Sequence, residues 1–114
     1  MHITNIKGTN MDLTEAIKDY ATKKVEALQK YLTDFDPIDV SIEVGQTTRG
    51  QNKGPIFRAE VNINVPGMLL RAEETAEDLY AAIDLVKDQL QRQIVDFKNK
   101  LSDKTQRVPR PGKE

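Results

Sequence analysis

The stretch that decides the fold is Leu70–Leu101, LRAEETAEDLYAAIDLVKDQLQRQIVDFKNKL. It starts at the end of a strand and continues as a helix of about seven turns, with Thr75 as the predicted N-cap and Asp78 reaching back to it. Apolar residues recur at helical spacing within about a quarter of the helical wheel; they are Leu79, Ile83, Val86, Leu90, Ile94, Phe97 and Leu101. A long helix with a single apolar stripe predicts packing against a second layer.

The residues before this helix predict four strands and one further helix. Alternating apolar and polar residues mark the strands, which span residues 2–7, 40–44, 57–65 and 68–73. The first helix starts with Thr14 as its N-cap and shows an apolar face until Asp36-Pro37 ends the segment. The order βαβββα predicts an α+β domain whose two helices pack on one face of a four-stranded, mainly antiparallel sheet.

Two segments are predicted to be irregular. The polar, glycine-punctuated stretch Gly45–Gly54 is typical of a mobile loop between strands. Beyond Ser102 the chain is polar and interrupted by proline. We therefore expect one domain over residues 1–101, followed by a flexible basic tail or linker over residues 102–114.

The composition limits the class of protein. A chain of 114 residues without cysteine can fold around its own apolar core, and it lacks disulfides, thiolate metal sites and thiol nucleophiles. No segment is apolar over the length that a membrane span requires. We expect a soluble, cytoplasmic protein with no membrane partner.

Charge is unevenly distributed along the chain. The formal net charge is −1, which by itself gives no sign of a nucleic-acid partner. Nine basic and fourteen acidic residues lie up to Val86, whereas eight basic and four acidic residues lie from Lys87 onward. A basic C-terminal part can contact phosphate even where the whole chain is close to neutral.

Residues suited to catalysis are few. The single histidine is His2, and the serines are Ser41 and Ser102, so the sequence offers no convincing Ser–His pair. The loop GQTTRGQNKG lacks the Lys-Ser/Thr ending and the following helix of a phosphate-binding loop. The carboxylates are not grouped as in a calcium loop. We expect no enzyme activity, cofactor, metal or small-molecule substrate.

Polar residues beside the apolar stripes favour a binding role. On the second helix, four residues lie within about 40° of one another; they are Tyr80, Lys87, Gln91 and Lys98. Lysines contact phosphates as point charges, and a tyrosine can stack on a base or sugar. On the first helix Lys24 falls inside the apolar arc and must extend its ammonium group over the packed surface. The alternative is an ordinary solvated face, and periodicity alone does not decide between the two.

The two helix sequences also carry a family resemblance. The matching residues are LTEAIKDYATKKVEALQKYL in the first helix and, in the second, Asp78–Asp84 (DLYAAID), Leu90, Arg92, Gln93, Lys98 and Lys100. The chain resembles the N-terminal domain of the ribosome hibernation-promoting factors, also called ribosome-associated inhibitors or sigma-54 modulation proteins, from about residue 2 to residue 101. The resemblance implies a βαβββα fold like that of a double-stranded-RNA-binding domain with an extra first strand.

The resemblance implies a function without catalysis. Members of the family bind the small ribosomal subunit between head and body, across the sites for mRNA and for the A- and P-site tRNAs. They thereby silence translation and protect idle ribosomes in stationary phase or stress. The implied partners are rRNA of the small subunit and the whole ribosome. Long members add a C-terminal domain that pairs two ribosomes. Only a short tail follows here, as in a short-type factor or in a long one truncated at a linker, so self-driven ribosome dimerisation is not expected of the chain as given.

Together with the helical pattern, the resemblance implies rRNA contacts for eight residues: Lys24, Lys30, Arg71, Lys87, Arg92, Gln93, Lys98 and Lys100. Tyr80 and Asp84 match the motif but also suit a packing role. Three positions where relatives often carry lysine hold Ala27, Gln89 and Asp96, which implies a less basic surface. Further candidate contacts are Arg49 and Lys53 in the loop, and Arg107, Arg110 and Lys113 in the tail.

A protein–protein adaptor that binds a regulator and not the ribosome is the alternative. The two functions differ in their response to salt. Binding to rRNA weakens steeply as salt rises, in proportion to the number of phosphates neutralised. An adaptor interface with an apolar centre does not depend on salt in this way.

Overall fold

A computed structural model of the protein describes residues 1–47 and 56–107, with side chains described up to Leu101. In chain order the elements are β1 (His2–Thr9), α1 (Glu15–Glu26), a short 3-10 helix (Gln29–Tyr31), β2 (Asp39–Thr47), β3 (Ile56–Val65), β4 (Met68–Ala76) and α2 (Leu79–Arg107). The predicted order βαβββα and the α+β class are confirmed.

The four strands form one sheet in the order β1-β2-β3-β4. β1 runs parallel to β2, with α1 in the connection between them, whereas the other two pairings are antiparallel. A tight turn at Pro66-Gly67 joins β3 to β4, and Gly67 takes a φ of +88°, which glycine adopts without steric cost. The sheet is mainly antiparallel, as predicted. The likeness to a double-stranded-RNA-binding domain stays a prediction.

The apolar core lies between one face of the sheet and the two helices. Each of the last three strands contributes alternate buried residues, for example Val40, Ile42 and Val44 of β2. From the predicted stripe of α2, the buried residues are Leu79, Ile83, Val86, Leu90 and Ile94. Phe97 is partly buried against Phe35, at 5.5 Å between ring centroids, and Leu101 is 42% exposed. The core stripe of α2 therefore ends near Phe97.

The start of α1 is as predicted, but its end comes earlier. The hydroxyl of Thr14 accepts a hydrogen bond from the Ile17 backbone N–H at 3.2 Å, so Thr14 is the N-cap. The helix ends at Glu26, where the backbone tightens: the N–H of Leu28 bonds to the carbonyl of Val25 at 2.9 Å. The 3-10 helix that follows still places Leu28 and Leu32 in the core.

The predicted start of α2 at Thr75 is wrong. Thr75 lies in β4, paired with Arg58 of β3, because the strand ladder continues to Ala76 and holds the chain extended. The helix begins at Leu79, and Asp78 caps it: its side chain accepts a 3.3 Å hydrogen bond from the Tyr80 N–H.

Two other boundaries differ from the predictions. α2 continues to Arg107, beyond the predicted end at Leu101, since no helix-breaking residue occurs before Pro109. Residues Gly45–Thr47 of the predicted loop belong to β2. The remainder of that loop (residues 48–55, with Arg49 and Lys53) and residues 108–114 (with Arg110 and Lys113) lie outside the described residues. In the described part of the chain, no helix is both long and apolar enough to cross a membrane.

Candidate nucleic-acid interface

α2 carries two polar flanks, one on each side of its core stripe. The α1-side flank consists of residues that share one side of the helix at about 100° per residue: Tyr80, Asp84, Lys87, Gln91 and Lys98. The β4-side flank consists of Gln89 and Gln93, which contact β4, and of Lys100, which follows them at helical spacing. The two flanks present different chemistry.

An interhelical cluster fixes the α1-side flank to α1. It consists of Tyr20 and Lys24 of α1 with Tyr80 and Asp84 of α2. The Tyr20 hydroxyl donates a 2.6 Å hydrogen bond to Oδ1 of Asp84, and Lys24 Nζ lies 3.2 Å from the same oxygen. The rings of Tyr20 and Tyr80 meet edge to face at 4.8 Å, and Lys24 Nζ lies 5.4 Å from the Tyr20 ring centroid. Lys24 thus extends over the packed surface, as predicted, and there it lies near an aromatic ring.

The electrostatics of the cluster keep Lys24 charged. Its hydrogen bond to Asp84, helped by the attraction between the two charges, raises the pKa of Lys24 above its ordinary value. The hydrogen bond from the Tyr20 hydroxyl to Asp84 likewise raises the pKa of Tyr20, so this hydroxyl remains a donor at neutral pH. The cluster therefore presents two donors, an ammonium and a hydroxyl, to a single carboxylate oxygen.

Further along the same flank, two lysines are less constrained. Lys87 Nζ donates to the side-chain oxygen of Gln91 at 2.9 Å and lies 4.0 Å from Asp88. Lys98 is half-buried, and within residues 1–47 and 56–101 it forms no ion pair. In the 3-10 helix, Lys30 lies 5.4 Å from the Tyr31 ring centroid. Ammonium groups that neighbouring carboxylates do not neutralise remain available to phosphates.

The β4-side flank forms hydrogen bonds with the edge strand β4. Gln93 donates to the backbone carbonyl of Arg71 at 2.8 Å and accepts from the Arg71 N–H at 3.3 Å. Its amide thus pairs with both backbone groups of an edge residue, as a neighbouring strand would. Gln89 donates to the carboxylate of Glu74 on the same strand and accepts from Gln93 at 3.3 Å. These amides join α2 to β4.

The Arg71 side chain is engaged on the open face of the sheet, away from the helices. Its guanidinium lies 2.9 Å from a carboxylate oxygen of Glu60 and 3.8 Å from one of Glu73. Arg58 joins the same network through Glu60, at 2.6 Å, and through Glu73. The hydrogen bond from Arg58 holds the pKa of Glu73 below its ordinary value. The charge of Arg71 is therefore neutralised within the protein.

The eight predicted residues do not form one surface. Lys87 and Lys98 share the α1-side flank of α2, and Lys24 of α1 contacts this flank at Asp84. Arg71, Gln93 and Lys100 belong to the β4 side, and Arg92 is exposed on the outward side of α2. Lys30 is exposed in the 3-10 helix. Their roles at rRNA stay predictions.

Of the four residues in the interhelical cluster, only Lys24 was among the eight predicted rRNA contacts. Tyr80 and Asp84 were named as motif residues that also suit a packing role, and Tyr20 was not a candidate. Tyr20 was assigned to the apolar face of α1, and its hydroxyl contact to Asp84 depends on a pairing across 64 residues. A signal was present in the sequence, because Tyr20 lies one helical turn before Lys24 on the same side of α1. In the part of the chain that the structure describes, no group of three or more His, Cys, Asp or Glu residues is suited to a metal ion.

Several curated relatives are named ribosome hibernation promotion factor. The ribosome hibernation promotion factor of Deinococcus radiodurans is 34% identical over 115 residues, which cover 98% of this chain and 59% of that protein. The factor of the same name from Picosynechococcus sp. is 38% identical over 96 residues, covering 83% of this chain and 48% of that protein. The chain thus spans roughly half the length of the curated relatives it matches.

Solved structures and a family model complete the comparison. The Protein Y N-terminal domain of Thermus thermophilus superposes with a TM-score of 0.72 at 35% identity, covering 85% of this chain and 99% of that one. A ribosomal subunit interface protein from Coxiella burnetii, at 21% identity and a TM-score of 0.73, shares the fold. The sequence model described as Sigma 54 modulation protein / S30EA ribosomal protein matches residues 4–102. The chain belongs to this family.

Proposed function

We propose that the chain binds the small ribosomal subunit at its decoding groove, where mRNA and the A- and P-site tRNAs lie, and thereby silences idle ribosomes. The proposal is supported by Lys87 and Lys98 on the α1-side flank, and by Lys24 of α1, which contacts that flank at Asp84. The relatives of the chain are named ribosome hibernation promotion factors. The chain inhibits translation by occupying the decoding groove of cytoplasmic ribosomes, and it catalyses no reaction in this proposal.

The chemistry of the α1-side flank suits an RNA backbone. Its two lysines, Lys87 and Lys98, lie on the same side of α2 about three turns apart. Beside them, Lys24 of α1 lies 5.4 Å from the Tyr20 ring centroid. RNA duplexes are recognised chiefly by shape and through phosphates and 2′-hydroxyls, which lysines can contact without reading a sequence. Each phosphate contact releases counterions, so affinity should fall as salt rises.

At three positions on and near the two helices, this chain lacks the lysine that the family pattern often carries. Ala27 is exposed, and Gln89 donates to Glu74 in the structure, where a lysine would be expected to form an ion pair. Asp96 adds an exposed negative charge to α2. We infer that binding depends on fewer phosphate contacts than in more basic relatives, and that its salt dependence is correspondingly shallower.

The direct test is co-sedimentation of the chain with small subunits and with whole ribosomes, with and without P-site tRNA. The proposal predicts sedimentation with both particles and displacement by tRNA. Sedimentation that tRNA leaves unchanged would move the binding site away from the decoding groove. Absence of binding at low salt would refute ribosome binding.

An adaptor function is the second candidate, and one observation favours it. Leu85 and Val95 are 46% and 40% exposed on the outward side of α2, beside Arg92. Exposed apolar side chains on one side of a helix can serve as contacts for a protein partner. Replacing both with glutamine would abolish binding to such a partner, whereas it would leave ribosome binding intact.

A further inference from the structure

Asp84 lies at the centre of the interhelical cluster, among groups that attract anions. One of its oxygens, Oδ1, accepts the Tyr20 hydroxyl at 2.6 Å and lies 3.2 Å from Lys24 Nζ. An anionic oxygen between a hydroxyl and an ammonium group is also the arrangement in which a phosphate oxygen is bound. We propose that Asp84 is a specificity-determining residue: in the free protein its carboxylate occupies the position of an RNA phosphate between Lys24 and Tyr20. The inference rests on the proposed function.

The consequence is discrimination between RNA in general and the ribosomal site. A phosphate that approaches Lys24 must displace the carboxylate or tolerate its charge nearby, and like charges repel. An isolated RNA duplex therefore gains little at this position, because one anion replaces another. A ribosomal site whose shape also allows contacts with Lys87 and Lys98 gains affinity from those lysines, even though its phosphate only replaces the Asp84 carboxylate at Lys24. Asp84 should thus weaken binding to unspecific RNA more than binding to the ribosome.

A purely structural role does not require the charge of Asp84. The side chains of Lys24 and Asp84 are 38% and 45% exposed, and exposed ion pairs contribute little to stability. Contact between the helices is maintained by the rings of Tyr20 and Tyr80, at 4.8 Å. An asparagine at position 84 could still accept the Tyr20 hydroxyl, so Asp84→Asn removes the charge and retains the shape.

The test compares three proteins on an RNA duplex of about 16 base pairs, a length that one RNA-binding domain spans. They are the unaltered chain, Asp84→Asn, and Asp96→Asn as a control. Asp96 lies on the same helix, is exposed, and forms no ion pair within residues 1–47 and 56–101, so its replacement changes the net charge equally. Fluorescence anisotropy over a range of salt concentrations gives both affinity and salt slope.

The expected result is specific to Asp84. Asp84→Asn should bind the duplex about two- to fivefold more tightly, as for one exposed ion pair, with a salt slope steeper by about one. Asp96→Asn should change both values much less. Affinity for small subunits should rise less than affinity for the duplex. Thermal unfolding of each variant verifies the fold.

Combining Asp84→Asn with a substitution of Lys24 or Tyr20 shows which of these two donors binds the RNA phosphate. With Lys24→Gln present, the gain from Asp84→Asn should disappear, and with Tyr20→Phe it should shrink. Equal behaviour of Asp84→Asn and Asp96→Asn would overturn the inference, as would failure of Asp84→Asn to bind the duplex at low salt. Neither result depends on whether the unaltered chain sediments with ribosomes. The two proposals can therefore fail separately.

Discussion

The two polar flanks of α2 differ in what engages their side chains. On the β4 side, Gln93 pairs with the backbone N–H and carbonyl of Arg71, and Gln89 donates to Glu74. On the α1 side, Lys87 and Lys98 contact few groups of the protein, and Lys24 is held by a single carboxylate. Both flanks are polar and both adjoin the same apolar stripe.

Polarity on a helix flank therefore does not by itself indicate a binding surface. Neutral amides that complete the hydrogen bonding of an edge strand stabilise the fold and leave little for a partner. Ammonium groups that are weakly neutralised contribute little to the fold and remain available to phosphates. Loss of stability on one flank and loss of RNA binding on the other should therefore separate by mutation.

The largest loss of stability is expected from a substitution in the apolar stripe of α2, which holds both flanks in place. Leu90 is fully buried in the stripe that holds α2 against the sheet. Leu90→Ala should lower the free energy of unfolding by about 2–5 kcal/mol, because it removes buried apolar contacts and leaves a cavity. Urea denaturation measures this change. A loss below 1 kcal/mol would mean that α2 is not anchored by its central turns.

Two single variants, one on each flank, should separate the effect on stability from the effect on ribosome binding. Gln93→Ala should lower the free energy of unfolding by about 0.5–1.5 kcal/mol, since α2 loses its two hydrogen bonds to the exposed sheet edge. Lys98→Ala should change it by no more than about 0.5 kcal/mol and should instead reduce the salt slope of ribosome binding by about one. Urea denaturation and co-sedimentation over a salt range give both values.

The same pair decides the role of Gln93. If Gln93→Ala remains stable but loses ribosome binding, the predicted rRNA contact is correct and the distinction between the flanks fails. If it is destabilised while its folded form still sediments with small subunits, Gln93 serves the sheet edge.

The smallest expected effect is the pH dependence of stability that comes from Glu73, in the ion-pair network on the open face of the sheet. The Arg58 guanidinium holds the pKa of Glu73 below its ordinary value of 4.5. Because the folded pKa is lowered, the stabilisation by Glu73 is present above pH 4.5 and is lost as the pH falls from there through the folded pKa. The difference in unfolding free energy between the unaltered chain and Glu73→Gln should be about 0.5 kcal/mol at neutral pH, since the pair is partly exposed. It should vanish on acidification in urea titrations. A difference independent of pH would exclude the ion pair as its cause.

The fold was largely predictable because its signals are local. Alternation in β3 and the apolar stripe of α2 each lie within one segment, and their periods differ. The start of α2 was not predictable in this way. Thr75 is a good N-cap by type, but pairing with Arg58 keeps it in β4, and that pairing is visible only in the sheet.

The candidate site was predictable in its residues more than in its arrangement. The spacing of Tyr80, Lys87 and Lys98 on one side of α2 follows from helical geometry alone. The contact of Asp84 with Tyr20 and Lys24 requires the two helices to be placed on the sheet. The amide of Gln93 on the backbone of Arg71 likewise depends on the path of an edge strand.

The role of the α1-side flank in ribosome binding is measured by the salt dependence of binding to small subunits in a double variant, Lys87→Gln with Lys98→Gln. The matched control is Lys7→Gln with Lys18→Gln, which removes the same charge from β1 and from the side of α1 turned away from α2. If the α1-side flank contacts rRNA, the salt slope should be lower by about two for the first variant and nearly unchanged for the control. Equal loss in both variants would show instead that net charge, and not the α1-side flank, drives binding.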